Sequence, residues 1–537
     1  MLSENRSRIA VIGLGLSGVA AVKNLVEQGF HVTGFEKHKY IGGLWEWSAD
    51  AEQTSLLALI PRSNSQVIDP EIELNFRPVT KTFHSRKVDV SDYPSASEIA
   101  TYIRRYAKHF GLEKHWKLGV TISKIDRSKD GSKWVVQMKS GKDTSLQSFD
   151  KVIVATGPYN RPHIPSIPGI DGFKGEILHA QAYKRPEAFV GKRVVVMGMS
   201  NTGCDISLEL AKVAQKVYLS HRAGARIRYL GGKPVDHGLT RRLSYIMRTI
   251  GRVFPRLRGM VLDFALESRM KNMFPRLDPS WRLLPAPPDI NANAVFNDDI
   301  IDNLASGAVT SVSGVKGFTE TGIETEFDGL VEVDTVIFAT GYQFDYSPLG
   351  FAADPTSWTT PEWDEAVHNN GLLYPRLYQT IFSPSYPLSL AFIGPCQGYT
   401  FAAFCHADLA SQAIAQVWLG NFPCPDARAI EEWCDSNYAY SLSQIKRWRV
   451  PKTGTENGAL EVWLNKAAGN GVEEKLGWGW AGWDFWWKDR EMFKLIMDGV
   501  NTPFVYRLFE GRNGARKRWE GAREAIYLAN GRGPKTQ

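Results

Sequence analysis

Cysteine is scarce in this sequence, with five residues in a chain of 537. No two cysteines are spaced as C-x-x-C or C-x-x-x-x-C, a pattern that a flavin disulfide reductase needs beside its flavin. Metal-ligand spacing is also missing, so we expect no metal site. The small apolar neighbours of two of the five predict packed, unreactive thiols. Those two are Cys396 and Cys405.

Long apolar runs are missing as well. No stretch of 18 or more uncharged apolar residues occurs, so the sequence predicts no membrane span. The first predicted strand starts near residue 9, which leaves no room for a signal peptide and predicts a cytoplasmic protein. The net charge is +7, and no nucleic-acid-binding motif is present. Arginines are dense in residues 241–258. A solvated helix face is the favoured interpretation, with peripheral contact to an anionic membrane as the alternative.

A glycine-rich turn follows the apolar run of residues 9–12. The order Gly13-Leu14-Gly15-Leu16-Ser17-Gly18 is that of a dinucleotide-binding turn between a strand and a helix. The next predicted strand, residues 31–35, leads to Glu36. A carboxylate at that position accepts hydrogen bonds from ribose hydroxyls, and the glycines let the backbone approach a pyrophosphate. This unit therefore predicts FAD, with Gly13, Gly15, Ser17, Gly18 and Glu36 as binding residues.

A second turn of the same kind follows the run of residues 193–197. The next predicted strand after this turn, Val217 to Ser220, leads to Arg222. A guanidinium at that position suits the 2′-phosphate of NADPH. Ser200 stands where the middle glycine is expected, which restricts backbone approach. Asn201 and Thr202 are expected to cap the following helix and to contact phosphate or nicotinamide. The predicted NADPH residues are Gly198, Ser200, Asn201, Thr202, Gly203 and Arg222.

Two further runs end alike, Lys151 to Val154 before A-T-G-P and Thr335 to Phe338 before A-T-G-Y. Both read as buried parallel strands. Their positions predict an α/β fold with two dinucleotide-binding, Rossmann-like domains, the NADPH domain inserted in the FAD domain. The boundaries follow as an FAD domain at 1–185, an NADPH domain at 186–330, a return to the FAD domain at 331–425, and a helical C-terminal extension at 426–537.

The segment between the two turns carries a longer motif. Residues Phe173 to Tyr183 match F-x-G-x-x-x-H-x-x-x-Y. On this motif, with G-G-L-W at 42–45 and A-T-G-Y at 339–342, the chain resembles the flavin-containing monooxygenases. The resemblance covers roughly residues 8–425, and the tail near residues 502–526 is similar to that of fungal members, many of which act in secondary-metabolite pathways.

The resemblance implies a function and further site residues. NADPH would reduce FAD, and a C4a-hydroperoxyflavin would deliver one oxygen atom of O₂ to a small organic substrate. Heteroatom oxygenation, epoxidation and other carbon oxygenation stay open, most naturally as a tailoring step in secondary-metabolite biosynthesis. Asn75 would lie beside the flavin, and Thr202 would hold the nicotinamide, both as catalytic residues. The resemblance adds Gly43, Leu44, Trp45, Thr340 and Gly341 to the cofactor-binding set.

Departures from the family pattern keep alternatives open. Residues 83–87 and 408–410 differ from the family near its substrate side, so the family's amine substrates do not transfer. The motif ends in Tyr183 rather than the tryptophan usual in Baeyer–Villiger enzymes, which argues against lactone formation without removing it. A Baeyer–Villiger monooxygenase and an uncoupled NADPH oxidase that releases H₂O₂ are the alternatives.

Tryptophans crowd the segment G-W-G-W-A-G-W-D-F-W-W at 477–487. Aromatic residues at this density more often pack in a core than line a surface. We therefore expect these side chains to pack against the FAD domain, with a membrane-facing or substrate-facing role as the alternative.

Overall fold

The computed structural model describes residues 7–51, 95–228, 240–288, 294–369, 371–394, 403–448, 458–511 and 514–532. The strands of these residues are β1 Arg8–Ile12, β2 His31–Glu36, β3 Trp116–Leu118, β4 Thr121–Arg127, β5 Trp134–Ser140, β6 Asp143–Phe149, β7 Lys151–Val154, β8 Arg161–Pro162, β9 Glu176–His179, β10 Arg193–Met197, β11 Lys216–His221, β12 Ile227–Arg228, β13 Val295–Phe296, β14 Val309–Ser313, β15 Val315–Phe318, β16 Gly322–Thr325, β17 Leu330–Glu332, β18 Thr335–Phe338, β19 Tyr342–Gln343 and β20 Leu390–Phe392.

The α-helices of the same residues are α1 Leu16–Glu27, α2 Ala96–His109, α3 Asn201–Leu210, α4 Arg241–Val253, α5 Pro255–Met273, α6 Ile300–Ala305, α7 Pro361–Asp364, α8 Ala403–Trp418, α9 Ala427–Arg447, α10 Ala459–Ala468, α11 Val472–Lys475, α12 Trp480–Lys488, α13 Arg490–Asp498, α14 Val505–Leu508 and α15 Ala522–Ala529.

Two five-stranded parallel sheets organise the chain. The first has the order β20-β7-β1-β2-β3, and the second has the order β14-β11-β10-β18-β9. Strands β7 and β20 pair in parallel although every strand of the second sheet lies between them in sequence. The predicted fold is therefore confirmed: two Rossmann-like units, the second inserted in the first.

One strand belongs to a different sheet from the one expected. The sequence assigned Thr335–Phe338 to the returning FAD unit, but β18 pairs with β10 and β9 in the second sheet. Burial explains the error: β18 is apolar on both faces and could fill either sheet. The chain returns to the first sheet only at β20, and β9 already belongs to the second sheet.

A three-stranded antiparallel sheet accompanies each parallel sheet. Strands β4, β5 and β6 lie between β3 and β7, while β15, β16 and β17 lie between β14 and β18. The two units thus repeat one plan, with a parallel strand pair joined by a helix, a third strand, a meander and a fourth strand. The second unit adds the helical pair α4–α5 between β12 and β13.

The C-terminal helices share the hydrophobic core of the first unit. Buried side chains of α10, α13 and α15 join those of β1, α1 and α8 in one cluster. A buried ion pair ties the tail to that core, because Arg516 Nη1 lies 2.9 Å from Asp408 Oδ1, and the Asn24 amide donates to the same carboxylate. Among the described residues, no helix combines the length and apolar character needed to cross a membrane.

The tryptophan-rich segment contradicts the expectation of core packing. Most of its tryptophan side chains are exposed, up to 91% at Trp480. Helix α12 points Phe485 inward, where it packs on Phe493 and Phe509. Because Trp480, Trp483 and Trp487 are spaced i, i+3 and i+7, they share the outward face of the helix.

Candidate dinucleotide sites

The first glycine turn has a backbone that only glycine fits. Gly13 has φ +93°, and a Cβ there would lie 2.7 Å from the Ala155 carbonyl oxygen. A Cβ on Gly18 would lie 1.8 Å from the Gly13 carbonyl oxygen. The Gly13 N–H donates to the Phe35 carbonyl at 2.8 Å and holds the turn at the carboxyl end of the sheet.

The amino end of α1 is an open cradle. Its N-cap is Gly15, and no described side chain caps the helix. A Cβ on Gly15 would meet only Gly43, at 3.7 Å, within the short 3₁₀ helix Gly43–Trp45. The Gly42 N–H donates to the Leu14 carbonyl at 3.0 Å and fixes this segment against the turn. Uncapped N–H groups and the helix dipole make such an end suitable for a pyrophosphate.

Glu36 closes one side of this cradle. The side chain is buried, and its carboxylate accepts hydrogen bonds from the backbone N–H groups of Leu14 at 2.8 Å and His38 at 3.1 Å. These bonds fix a negative charge at the carboxyl end of β2. A carboxylate held there is positioned to accept from the hydroxyls of a ribose.

The second turn repeats this geometry. Gly198 has φ +119°, and a Cβ there would lie 2.5 Å from the Ala339 carbonyl oxygen, while a Cβ on Gly203 would lie 1.8 Å from the Gly198 carbonyl oxygen. Helix α3 begins at Asn201 with Ser200 as its N-cap, and no described side chain caps it. The expected capping by Asn201 and Thr202 is therefore wrong. The Asn201 Oδ1 instead accepts from the Phe296 N–H at 2.9 Å, and Thr202 is exposed.

The basic residues after β11 have different environments. Arg222 is exposed just beyond the end of the strand, with its Cγ against Gly314. Arg226 is buried, and its guanidinium lies 2.7 Å from Asp263. An arginine committed to a carboxylate in this way supports the fold of the second unit. Arg222 is the residue whose position suits a phosphate.

His179, at the end of β9, connects its own strand to the segment that follows β18. His179 Nδ1 accepts from the Gln181 N–H at 3.1 Å, so its Nε2 carries the proton and donates to the Gly341 carbonyl at 2.9 Å. Burial lowers the pKa of His179 to about 4, opposed by the bond to Gly341. The ring is therefore neutral near pH 7 and packs edge-to-face on Tyr342. It is a satisfied structural group between the two units.

Comparisons with known proteins agree with this geometry. Residues 6–536 match the model of the flavin-binding monooxygenase-like family. The chain belongs to this family. It is 35% identical to monooxygenase aurF of Gibberella zeae over 97% of both chains, and 34% identical to human flavin-containing monooxygenase 5 over 98% of this chain and 92% of that one. In structure, it is similar to OTEMO in complex with FAD and NADP (TM-score 0.58, 17% identity, 88% and 98% covered), which shows the fold.

As a member of the flavin-binding monooxygenase-like family, the chain is an NADPH-dependent flavoenzyme whose cofactors are FAD and NADPH. The residues present fit both groups. No described side chain caps either helix start. Because Gly15 has no Cβ, there is space for the cofactor to approach the protein backbone closely. The predicted first-unit residues Gly13, Gly15, Ser17, Gly18, Glu36, Gly43, Leu44 and Trp45 lie on the elements around one turn.

The second-unit set is brought together in the same way. Gly198, Ser200, Asn201, Thr202 and Gly203 form the turn and the first residues of α3. Thr340 and Gly341 lie on the same edge, after β18, rather than in the returning FAD unit. Asn75, the other expected catalytic residue, lies outside the described residues, as do residues 83–87 and Cys396.

Sequence reasoning missed the groups that shape the first A-T-G turn. The Asn160 side-chain amide donates to the carbonyls of Thr156 at 2.9 Å and Gly157 at 3.0 Å. A Cβ on Gly157 would meet nothing within 4 Å, as at Gly341, which leaves space above both turns. The A-T-G sequence occurs at both 155–157 and 339–341. Because Thr340 and Gly341 were predicted to bind a cofactor, the same prediction could have been made for residues 155–157.

Proposed function

We propose that this enzyme inserts one atom of O₂ into a small organic substrate, as a tailoring step in secondary-metabolite biosynthesis. The observation that carries the proposal is the pairing of two uncapped helix starts with opposite charges beyond them, Glu36 for the first and Arg222 for the second. One unit therefore suits a dinucleotide with free ribose hydroxyls, and the other suits one with a 2′-phosphate.

Each group of residues has a separate task. The N–H groups at the start of α1 would hold the FAD pyrophosphate, and Glu36 would accept from its ribose. The N–H groups at the start of α3 would hold the NADPH pyrophosphate, and Arg222 would donate to the 2′-phosphate. When bound, the pair supplies hydride transfer and the activation of O₂. The chain itself would supply binding and orientation.

The four cysteines in the described part of the chain do not offer an alternative electron acceptor. None of the four described cysteines forms a disulfide bond, and burial raises the pKa of the Cys405 and Cys434 thiols, the latter to about 12. A buried neutral thiol is a poor nucleophile and a poor redox partner. This supports O₂ as the acceptor, in agreement with the monooxygenase names of the similar proteins.

Tyr183 supports heteroatom or ordinary carbon oxygenation over the Baeyer–Villiger alternative. Its ring is buried against Phe189, and its hydroxyl donates to Glu209 on α3 at 2.9 Å. A tryptophan at this position lacks that hydroxyl and would leave the carboxylate without this donor. The motif residue is thus fitted to this chain, and the similarity to fungal members supports a biosynthetic substrate.

The experiment is a coupled mass and redox measurement. Purified enzyme with NADPH is incubated with thioethers, amines, alkenes and cyclic ketones, and products are read by mass spectrometry for a gain of one oxygen. We expect the gain together with H₂O₂ release well below NADPH consumption. H₂O₂ equal to NADPH with every substrate class would establish the oxidase instead, and lactones from ketones alone would establish the Baeyer–Villiger reaction.

Asn75 gives a second test of the same proposal. Asn75→Ala should reduce coupling and raise the H₂O₂ released per NADPH consumed, because it removes a polar group that would act on the reacting atoms. Flavin content and the rate of flavin reduction by NADPH should stay unchanged. Coupling equal to that of the unmodified enzyme would remove Asn75 from the site.

A further inference from the structure

Helix α4 turns three hydrogen-bonding side chains toward the first unit and the C-terminal helices. Arg241, Tyr245 and Arg248 are spaced i, i+4 and i+7, which places them on one face of the helix. We call these three side chains the donor cluster. Arg241 is buried, and Tyr245 packs against the hydrophobic core of the first unit. The Arg248 guanidinium lies 4.2 Å from the centroid of the Tyr245 ring, so the cluster is continuous.

Each member of the donor cluster holds a buried polar atom that has no hydrogen-bond partner among the described residues. These atoms are Arg241 Nε, the Tyr245 hydroxyl oxygen and Arg248 Nη1. All three carry a hydrogen that can be donated. A buried donor without an acceptor destabilises a fold, and most buried polar groups in proteins are paired. Three such donors on one helix face therefore indicate that a molecule from outside the chain supplies the acceptor.

Two carboxylates balance the positive charges of the donor cluster. Arg241 Nη1 lies 3.7 Å from Glu461 Oε1, and Arg248 Nη1 lies 3.9 Å from Glu473 Oε1. Both distances are too long for a hydrogen bond, but they keep each guanidinium beside a carboxylate. Burial, followed by the charge of Glu473, raises the pKa of Tyr245, so its hydroxyl stays protonated near pH 7. With two cations beside two anions, a neutral acceptor fits this cluster better than a further buried anion does.

The donor cluster lies close to the cradle of the first glycine turn. Phe404, in the first turn of α8, packs on Trp45 with the ring centroids 6.0 Å apart. Trp45 belongs to the 3₁₀ helix that is fixed against the first turn. Cys405, the next residue of α8, interacts electrostatically with Arg241. Two consecutive residues of α8 thus connect the cradle to the cluster, and a molecule held by the cluster would lie near the site predicted for FAD.

We propose that the donor cluster holds a carbonyl oxygen of the substrate, so that this enzyme takes neutral carbonyl compounds in preference to carboxylates and to compounds without an acceptor. Two of the donors would bond the two lone pairs of one carbonyl oxygen, and an ester supplies a second oxygen for the third donor. The cluster positions the substrate and takes no part in oxygen transfer. The inference rests on the proposed function, because it names the substrate class of the same reaction.

The test is calorimetric binding of matched thioethers to the FAD-loaded full chain without NADPH. Methyl 4-(methylthio)benzoate carries a neutral carbonyl, methyl 4-isopropylphenyl sulfide has a similar size without that acceptor, and 4-(methylthio)benzoate carries a negative charge. We expect the ester to bind at least about tenfold more tightly than the other two, because only the ester gives the charged donors a neutral acceptor. Equal Kd values for the ester and the isopropyl compound would overturn the proposal, and so would tighter binding of the carboxylate.

Tyr245→Phe removes one donor and keeps the ring beside Arg248. It should raise the Kd of the ester by about three- to tenfold and leave that of the isopropyl compound unchanged. Arg248→Lys, which keeps the charge beside Glu473, should act in the same direction and is the second variant if Tyr245→Phe fails to fold. The matched control is Tyr386→Phe, whose ring lies 5.5 Å from the Arg127 guanidinium outside the cluster and which should change neither value. An equal loss for both compounds in Tyr245→Phe would overturn the proposal.

Failure of this proposal can be distinguished from failure of the proposed function, because binding is measured without turnover. An enzyme that binds the ester through Tyr245 but converts all NADPH to H₂O₂ would keep the donor cluster and contradict the monooxygenase reaction. An enzyme that oxygenates the ester and the isopropyl compound with equal kcat/KM and binds them with equal Kd would keep the reaction and contradict the cluster.

Discussion

The two dinucleotide units of this enzyme match almost bond for bond. The N–H of the first turn glycine donates to the neighbouring strand at 2.8 Å in both, from Gly13 to Phe35 and from Gly198 to Ser220. The strand-end alanines donate back to the first strand at 2.8 and 2.9 Å. A Cβ on the last turn glycine would meet a carbonyl oxygen at 1.8 Å in each unit. The backbone plan is thus common to both units, and selectivity between dinucleotides must come from side chains.

The side chains differ at the end of the second strand. Register places Phe35 beside Ile12 and Ser220 beside Met197, so the position equivalent to Glu36 is His221, and Arg222 lies one residue further. Glu36 points back to its turn, whereas His221 is buried and bonded to the Ala223 carbonyl at 2.7 Å. The residue predicted to select the ligand therefore lies at the buried end of the strand in the first unit, and it is exposed beyond the strand in the second unit.

The largest effect should come from the shared glycine that closes each turn. Gly18→Ala and Gly203→Ala each force a Cβ into a backbone carbonyl, at a cost of about 3 kcal/mol or more in unfolding free energy. We expect Gly18→Ala to yield flavin-free, less stable protein, and Gly203→Ala to keep flavin but lose saturation by NADPH. Thermal melting, flavin absorbance and NADPH titration measure the three effects.

Gly172→Ala is the control for this pair, since a Cβ there meets nothing within 4 Å. It should change stability by less than about 0.5 kcal/mol. If Gly203→Ala lost FAD as completely as Gly18→Ala, the second unit would be needed for FAD binding. The two separate sheets would then not act as independent binding units.

A smaller effect, confined to the first unit, is expected from Glu36→Arg. In the unmodified enzyme the Leu14 N–H donates to the Glu36 carboxylate. The arginine would place a positive charge beside that N–H and would remove the group that accepts from the ribose. Flavin content of purified protein should fall by about tenfold or more, because loss of a charged hydrogen-bonding partner costs about 1.5–3 kcal/mol. Glu36→Gln keeps the shape and should lose less. Full flavin occupancy in Glu36→Arg would contradict the assignment of FAD to this unit.

Sequence patterns predicted the parts of the structure that depend on local backbone rules. The glycine spacing, the apolar strands and the charge beyond each strand gave two Rossmann-like units and their order. The sheet membership of β18 did not follow, because a strand buried on both faces has no pattern that selects one sheet. Its partners are set by residues more than a hundred positions away.

Side-chain roles were harder to predict. Asn201 looked like a helix cap from its position, but its amide bonds to Phe296, a partner set by tertiary structure. The tryptophans of α12 were expected inside because aromatic density usually marks a core, while the helix period, applied to Trp480, Trp483 and Trp487, puts three of them on one face opposite Phe485. Reading the period before the composition would have corrected that prediction.

Within the second unit, Arg222→Ala should reduce use of NADPH selectively. Loss of a charge-assisted contact of about 1.5–3 kcal/mol corresponds to about a 10- to 150-fold lower kcat/KM for NADPH, with the NADH value nearly unchanged. The matched control is Lys316→Ala, an exposed base of the same unit paired with Glu324 at 3.0 Å, which should change neither value. Equal losses for both reductants would show that Arg222 supports the fold through Gly314.

The smallest effect is expected at the middle glycine position of the turn, where the second unit has a serine. Ser200 stands at the position of Gly15, is exposed, and makes no capping bond to its helix. Ser200→Gly should bring the second turn to the geometry of the first at a stability cost of only a few tenths of a kcal/mol. The freed backbone approach should lower the KM for NADPH by about two- to threefold, equivalent to about 0.5 kcal/mol. The reverse change, Gly15→Ser, should fold normally and retain less flavin, because its Cβ meets only Gly43 at 3.7 Å and otherwise enters the space of the ligand. A higher KM in Ser200→Gly would instead assign the serine hydroxyl to the pyrophosphate, and the second unit would then hold the pyrophosphate partly by a side chain, where the first uses backbone N–H groups.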